Sequence, residues 1–290
     1  MNRRDATHIR IRHRIMLAQA ERRRERRLRE AVNDNQPQPK YGMLTLLNGC
    51  CLEKMKALPD QSVHMIFADL PYAQSAFNWD KLIPMEPFWA EVGRVLKSSG
   101  VVVMTSAGMF TAQLMLSKPD WYRYSMVWVK TKKTGFVHAK YRPMGQHEDV
   151  LVFSPGKATA CATTKMTYRP QGLTELTGVK VRKGETRSVM GKPVRTYADV
   201  DQTHTGYPTT VLQYPSVARG HHPTQKPHDL LAYLIRTYSD PGDTVLDPTM
   251  GSGSTGMAAI QEGRSFIGIE RDRDFFLGAQ GRLEGLRTAA

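Results

Sequence analysis

From residue 43 onward, short apolar runs of strand length alternate with stretches whose apolar residues recur at helical spacing. This rhythm is typical of α/β proteins, in which helices connect parallel strands and cover both faces of one sheet. Strands are predicted over 43–47, 63–68, 101–104, 122–129, 150–153, 244–246 and 266–269. Helices are predicted over 50–58, 88–96, 228–239 and 254–261. We therefore expect a doubly wound, mostly parallel sheet.

Two segments depart from this rhythm. Residues 1–40 hold eleven arginines and Lys40 against five acids, which predicts a basic arm that is loose or marginally helical. Residues 155–204 are rich in Thr, Gly and basic residues, with nine basic residues against four acids, which indicates an insertion at the rim of the sheet. The predicted organisation is an arm at 1–40, a first half at 41–154, an insertion at 155–215 and a second half at 216–290.

The net charge of +14 favours a polyanionic partner, with nucleic acid ahead of an anionic membrane surface. No apolar run approaches the roughly 18–20 residues of a membrane span, so we expect no membrane insertion. The start of the chain is Arg-rich and has no hydrophobic signal core. The three cysteines, Cys50, Cys51 and Cys161, form no metal spacing or disulfide framework, which predicts a cytoplasmic protein.

The first chemistry-bearing segment is Asp69-Leu70-Pro71-Tyr72, directly after the predicted strand 63–68. Ligands of α/β folds bind at the carboxyl ends of parallel strands, where Asp69 would lie. A carboxylate, a backbone carbonyl and a flat tyrosine ring suit a planar substrate that carries an amino group. Alone, this short match is weak, and an ordinary strand-ending turn is the better interpretation of it.

The second segment runs from Asp247 to Gly256, follows a predicted strand and opens a helix. Its glycines would let a ligand approach the backbone closely. The next predicted strand ends at Glu270, where an acid commonly binds ribose hydroxyls. This pattern is compatible with a dinucleotide or with S-adenosylmethionine (SAM).

The third segment is His222-Pro223-Thr224-Gln225-Lys226-Pro227, just before the helix predicted at 228–239. Pro227 suits the first helical turn, and polar groups at a helix start can meet a carboxylate. On its own the segment could be a simple helix entry.

Together the three segments resemble the amino-methyltransferases of DNA in the permuted order called the beta class, including phage, mobile-element and cell-cycle-type adenine methyltransferases. That family carries Asp-Pro-Pro-Tyr first, then a target-recognition insertion, then His-Pro-Thr-Gln-Lys-Pro, and the SAM glycine motif last. The chain has the same order over about residues 43–285. Leu70 replaces the first proline of the commonest motif. That position contributes mainly its carbonyl, so activity is expected to survive.

The resemblance implies a Rossmann-like SAM-dependent methyltransferase that acts on a base flipped out of duplex DNA. Asp69 and the Leu70 carbonyl would accept the amino hydrogens, Pro71 would stiffen the turn, and Tyr72 would stack on the base. SAM would contact Asp247, Pro248, Gly251, Ser252, Gly253 and Glu270, with Thr224 and Lys226 near its methionine carboxylate. No metal is implied, and homodimers are common in this group.

An aspartate at the first motif position favours adenine N6 over cytosine N4. A cytosine-N4 enzyme, an RNA methyltransferase and a silent DNA-binding subunit stay open as alternatives. Residues 155–215 are the predicted target-recognition region, and the arm at 1–40 either grips phosphate or is solvated. The predicted DNA contacts are Lys130, Lys132, Lys133, Lys180, Arg182, Lys183 and Arg187.

Overall fold

The computed structural model describes residues 42–72, 82–182, 186–189, 192–195, 200–217 and 225–288. Its strands are β1 (Leu44–Asn48), β2 (Val63–Ala68), β3 (Leu96–Ser106), β4 (Tyr122–Thr134), β5 (Gly145–Phe153), β6 (Thr174–Arg182), β7 (Thr186–Val189), β8 (Lys192–Arg195), β9 (Val200–Thr205), β10 (Val211–Gln213), β11 (Thr244–Asp247) and β12 (Ser265–Glu270). Its α-helices are α1 (Cys51–Met55), α2 (Met85–Val95), α3 (Met109–Ser117), α4 (His228–Tyr238), α5 (Ser254–Gln261) and α6 (Arg273–Thr288). The predicted arm at 1–40 lies outside the described residues.

Eight of the described strands form one sheet in the order β1-β12-β11-β2-β3-β5-β4-β10. All neighbouring pairs are parallel except those that involve β5, which runs antiparallel to both β3 and β4. Residues 135–144 join β4 to β5, and a connection this short cannot make the crossover that a parallel pair needs. The predicted mostly parallel α/β sheet is confirmed.

The core forms where β2 and β3 are covered by helices. Val101, Val102, Val103 and Met104 are fully buried in the middle of the sheet, as a continuous apolar run predicts. Helix α4 buries Leu230, Leu231, Leu234 and Ile235, which recur at helical spacing. None of the described helices is long and apolar enough to cross a membrane.

Two element boundaries differ from the sequence expectation. The helix predicted at 50–58 is the short α1, followed by a turn before Pro59. The helix predicted at 88–96 starts earlier, at Met85, and Leu96 already begins β3. Leu96 is apolar at a position that either a helix face or a buried strand would accept, so spacing alone could not place the boundary.

The insertion contributes strands of its own. Strand β6 pairs with β9 and β7 pairs with β8, both antiparallel and separate from the main sheet. Val211–Gln213, at the end of the predicted insertion, instead pairs with Val127–Val129 of β4. The last part of the 155–215 segment therefore extends the main sheet, and the rest of the predicted domain division stays a prediction.

Candidate active site

Four strands of the sheet end in polar residues at one edge. Asp69 follows β2, Thr105 lies near the end of β3, and Asp247 and Glu270 end β11 and β12. Because these strands are parallel neighbours, the four side chains meet at the carboxyl edge. A cavity of about 600 Å³ lies there, and Asp69, Asp247 and Glu270 all line it.

The Asp69 carboxylate accepts three hydrogen bonds. The hydroxyls of Thr105 and Tyr72 donate to Oδ1 at 2.5 Å and 3.0 Å. The Lys226 ammonium donates to Oδ2 at 2.6 Å. The Thr249 hydroxyl donates to the Asp69 backbone carbonyl at 3.2 Å, which ties the β2 end to the β11 end. The carboxylate is thus held in one orientation by Tyr72 of its own motif and by Thr105 and Lys226 from two other parts of the chain.

Lys226 is the centre of a charge network. Its Nζ lies 3.5 Å from Oε2 of Glu148, and Lys130 pairs with the other Glu148 oxygen at 2.8 Å. Burial lowers the pKa of Lys226, but Asp69 and Glu148 outweigh that effect, and the net result is a raised pKa. Lys226 therefore stays an ammonium group that neutralises Asp69. Its predicted contact with a methionine carboxylate would be made in addition to these pairs, and stays a prediction.

The rest of the Asp69 motif divides between the core and the cavity. The Leu70 side chain is buried in the hydrophobic core, so only its backbone is left for chemistry. Pro71 lines the cavity. The Tyr72 ring stacks at 5.0 Å from Phe110 with a 31° tilt. Burial, reinforced by the Asp69 charge, raises the pKa of Tyr72 well above its usual value, so its hydroxyl stays a donor.

The glycine turn between β11 and α5 brings backbone close to the cavity. Gly251 and Gly253 have φ of 50° and 76°, which residues with a Cβ rarely adopt. A Cβ on Gly253 would also lie 3.1 Å from Ala279. Gly251 donates its N–H to Glu270 Oε2 at 2.9 Å. The turn is thereby joined to the end of β12.

Two acids of the cavity carry a desolvation penalty. Burial raises the pKa of Asp247 to about 7, although its Oδ1 accepts the Thr249 N–H at 3.0 Å. Burial likewise raises the pKa of Glu270, although the N–H groups of Gly251 and Asp272 lower it. A ligand that brings positive charge or hydrogen-bond donors would favour the ionised form of both carboxyl groups.

The residues predicted to bind SAM are mostly brought together. Asp247, Pro248, Gly251, Ser252, Glu270 and Lys226 line the cavity, whereas Gly253 caps the start of α5 and Thr224 lies outside the described residues. The same cavity has an apolar wall suited to a purine ring, formed by Leu52, Ile83, Pro84 and Phe275. Carboxylates, a close backbone turn and this wall together fit SAM.

The arrangement agrees with comparisons to known proteins. A family model described as DNA methylase matches residues 63–280, which is well over half of the chain. The chain belongs to this DNA methylase family. It is similar to the DNA adenine methyltransferase YhdJ of Escherichia coli (strain K12), with 30% identity over 260 residues, covering 83% of this chain and 82% of that protein. It is also 28% identical to the type II methyltransferase M.HinfI of Haemophilus influenzae over 270 residues, 84% of this chain and 69% of that protein.

Solved structures share the fold of this DNA methylase. The M1.HpyAVI–SAM complex superposes with a TM-score of 0.54 at 22% identity, over 83% of this chain and all (100%) of that one. The cytosine-N4-specific PvuII DNA methyltransferase gives a TM-score of 0.61 at 17% identity, over 88% of this chain and 94% of that one. The SAM-dependent methyltransferase fold predicted from the three motifs is confirmed.

Two residues of the methylase site escaped the sequence analysis. Thr105 could have been found by the rule that singled out Asp69, since it lies at the carboxyl end of the next strand. Glu148 lies near the start of β5. This start lies at the same edge as Asp69 only because β5 runs antiparallel to β3. No pattern in the sequence signals that reversal at Glu148.

The residues predicted to contact DNA have different surroundings. Lys132 and Lys133 are exposed on β4, and Lys180 is exposed on β6. Lys130 is largely buried against Glu148 and lies 5.6 Å from the Trp128 ring centre. Arg182 and Arg187 belong to β6 and β7, while Lys183 lies outside the described residues. All seven stay predictions as DNA contacts, as does the homodimer.

The described residues offer no candidate metal site, and their cysteines are not arranged for catalysis. No cluster of three or more His, Cys, Asp or Glu side chains is arranged there to hold a metal ion. The three cysteines are free thiols. Burial raises the pKa of Cys51 to about 11, which keeps that thiol protonated and unreactive.

Proposed function

We propose that this protein methylates the exocyclic N6 amino group of adenine in duplex DNA, with SAM as methyl donor. The observation that carries the proposal is the Asp69 carboxylate, held at the rim of a cavity that Asp247 and Glu270 also line. The cavity joins an acceptor for an amino group to a pocket that fits SAM. The family relationship and the name of YhdJ support DNA and adenine as the targets.

Asp69 would act as a hydrogen-bond acceptor for the adenine amino group. An ionised carboxylate has about four acceptor positions, and Thr105, Tyr72 and Lys226 use three of them. One position on Oδ2 is left for an amino hydrogen, and the Leu70 carbonyl would take the other hydrogen. Two acceptors pull the nitrogen toward a tetrahedral form, whose lone pair is then free to attack.

Fixed positions matter more here than acid–base strength. The three donors on Asp69 hold its carboxylate before the substrate arrives, so little reorganisation is needed during the reaction. When bound, SAM supplies a methyl group on a positively charged sulfur. Asp69 and the Leu70 carbonyl would orient the amino nitrogen toward this methyl group, the C–S electrons would stay on sulfur as the methyl group is transferred, and Asp69 would accept the proton that the nitrogen loses.

The cofactor would be held by the residues that line the cavity. Glu270 would accept hydrogen bonds from the ribose hydroxyls, and Asp247 would lie near positive or donor groups of the ligand. The Gly251 turn would let the ligand contact the backbone. Leu52 and Phe275 would pack against the adenine ring of SAM.

The test is methyl transfer from labelled SAM to unmethylated duplex DNA, followed by nucleoside analysis of the product. We expect N6-methyladenine from the wild type and a loss of at least about 100-fold with Asp69→Ala. The matched control is Asp229→Ala, an 81% exposed aspartate on α4, which should methylate like the wild type. N4-methylcytosine as product, methylation of RNA in preference to DNA, or full activity in Asp69→Ala would each contradict the proposal.

A further inference from the structure

Strands β4 and β5 form a two-stranded ribbon that extends beyond the carboxyl edge of the sheet. The last residue of β3, Ser106, pairs with Asp149, which in turn pairs with Val127 of β4. Strand β4 then continues to Thr134, which pairs with Gly145. The register shifts between Val129 and Thr134, so residues 145–149 of β5 limit the paired part of this ribbon of residues 128–147 to roughly 13 Å past the end of β3 at about 3.3 Å per residue, and the connection 135–144 lies beyond it.

The charge of the ribbon has one sign. It contains Lys130, Lys132, Lys133, Lys140 and Arg142, and no aspartate or glutamate. Apart from Lys130, these basic side chains are exposed. The four exposed basic side chains attract a polyanion, whereas the charge of Lys130 is paired with Glu148, just after the ribbon.

The tip of the ribbon exposes apolar side chains. Phe136, Val137 and Tyr141 are 80%, 85% and 86% exposed, on the connection between the two strands. Gly135, in a left-handed conformation with φ of 86°, starts the turn that presents them. Large apolar groups held in water at the end of a basic ribbon indicate a surface that is covered when a partner binds.

We propose that the ribbon enters a groove of the DNA and that its apolar tip wedges against the bases beside the extruded adenine. This inference rests on the proposed function. The major groove is wide enough to admit a two-stranded β-ribbon, and apolar wedges such as Phe occur in proteins that unstack base steps. The exposed lysines and Arg142 contact the phosphates that border the groove, and the ring of Phe136 replaces part of the lost base stacking.

The root of the ribbon connects it to the reacting group. Glu148 follows the ribbon directly and lies 3.5 Å from the Lys226 ammonium, which in turn holds Asp69. A duplex that has one base at Asp69 must therefore pass beside the ribbon. DNA is the occupant that the site itself favours, because DNA contains the substrate base. An anionic membrane or a protein partner has no such reason to lie at this edge.

The experiment compares the double variant Phe136→Ala/Tyr141→Ala with the wild type on a short duplex that contains the target site in unmethylated form. The target site is first identified by mapping the methylated adenine in DNA treated with the wild type. We expect kcat/KM on the matched duplex to fall by about tenfold, the scale of removing one aromatic ring that stacks on a base. On a duplex with a mismatch opposite the target adenine, the deficit should shrink to less than about threefold, because that base is already partly unstacked. SAM affinity should not change.

The control is Leu116→Ala, which removes a 77% exposed apolar side chain from α3 and should behave like the wild type on both duplexes. Phe136→Tyr keeps a ring at the tip and should retain most of the activity. Normal kcat/KM of the double variant on the matched duplex would overturn the inference, as would an equal deficit on both duplexes. Loss of binding to phosphatidylglycerol vesicles, with methylation unchanged, would assign the tip to a membrane and also overturn it. Absence of methylation by the wild type would instead refute the proposed function.

Discussion

Replacing Asp247 by asparagine should make the ligand-free protein more stable and SAM binding weaker. Asp247 is 2% exposed, and its burial raises its pKa from 3.8 to about 7. The folded state therefore binds the carboxyl proton of Asp247 more tightly than the unfolded chain does. The contribution of Asp247 to stability accordingly falls as the pH rises from about 4 to about 7, and then stays constant.

The size of the effect follows from these two pKa values. One pKa unit corresponds to about 1.4 kcal/mol, so the buried carboxylate destabilises the fold by about 4 kcal/mol at pH 8 and by about 2 kcal/mol at pH 5. Asparagine carries no charge at either pH. The part of the Thr249 hydrogen bond that depends on the charge of Asp247 is already contained in the raised pKa, and the remaining part is the same at both pH values. The gain from Asp247→Asn should be about 2 kcal/mol larger at pH 8 than at pH 5.

Thermal unfolding of both proteins at the two pH values measures this difference. For a chain of this size, the Tm of Asp247→Asn minus the Tm of the wild type should be roughly 4–8 °C larger at pH 8 than at pH 5. Asp229→Asn is the control; its side chain is 81% exposed and lies 3.5 Å from His228, so only the small pH-dependent difference of an exposed pair, well below about 2 kcal/mol, is expected. SAM affinity, measured by calorimetry, should fall at least about tenfold because the cationic ligand loses a carboxylate. A stability difference that is independent of pH would refute the reasoning.

Three further changes test separate parts of the site. Thr105→Val removes one donor from Asp69, and we expect kcat to fall about tenfold while SAM affinity is retained; an equal loss of both would indicate a general structural defect. Glu270→Ala should weaken SAM binding strongly and leave DNA binding nearly intact, which calorimetry and a DNA-binding assay can separate. Deletion of residues 1–36 should lower DNA affinity at low salt and reduce the salt slope by about 0.9 for each phosphate that the arm neutralises; unchanged affinity would show that the arm does not bind DNA.

The sequence was sufficient to predict the frame of the site. Asp69 and Asp247 come at the ends of apolar runs, and Glu270 ends a third. In a parallel sheet such positions converge on one edge whatever the details of packing. The order of the motifs, together with the glycines at 251 and 253, then indicated the cofactor.

The sequence could not predict the partners of the reacting group. The ammonium of Lys226 and the carboxylate of Asp69 are 157 positions apart and come together at 2.6 Å. Glu148 reaches them because residues 135–144 are too few for a crossover, which turns β5 around and brings its beginning to the carboxyl edge. Neither contact leaves a periodic pattern, because each depends on which strands are neighbours.

The same distinction holds for the substitution in the Asp69 motif and for the ribbon. The resemblance to the family shows that Leu70 replaces a proline, but the fold shows that its side chain is buried in the core and leaves only the backbone at the site. The basic charge of residues 130–142 can be read from the sequence. That those residues extend beyond the edge that holds Asp69 was decided by the tertiary structure, because the pairing of β4 with β5 continues past Asp149, which pairs with the last residue of β3. Local composition determined which groups are present, and strand order and length determined which of them meet.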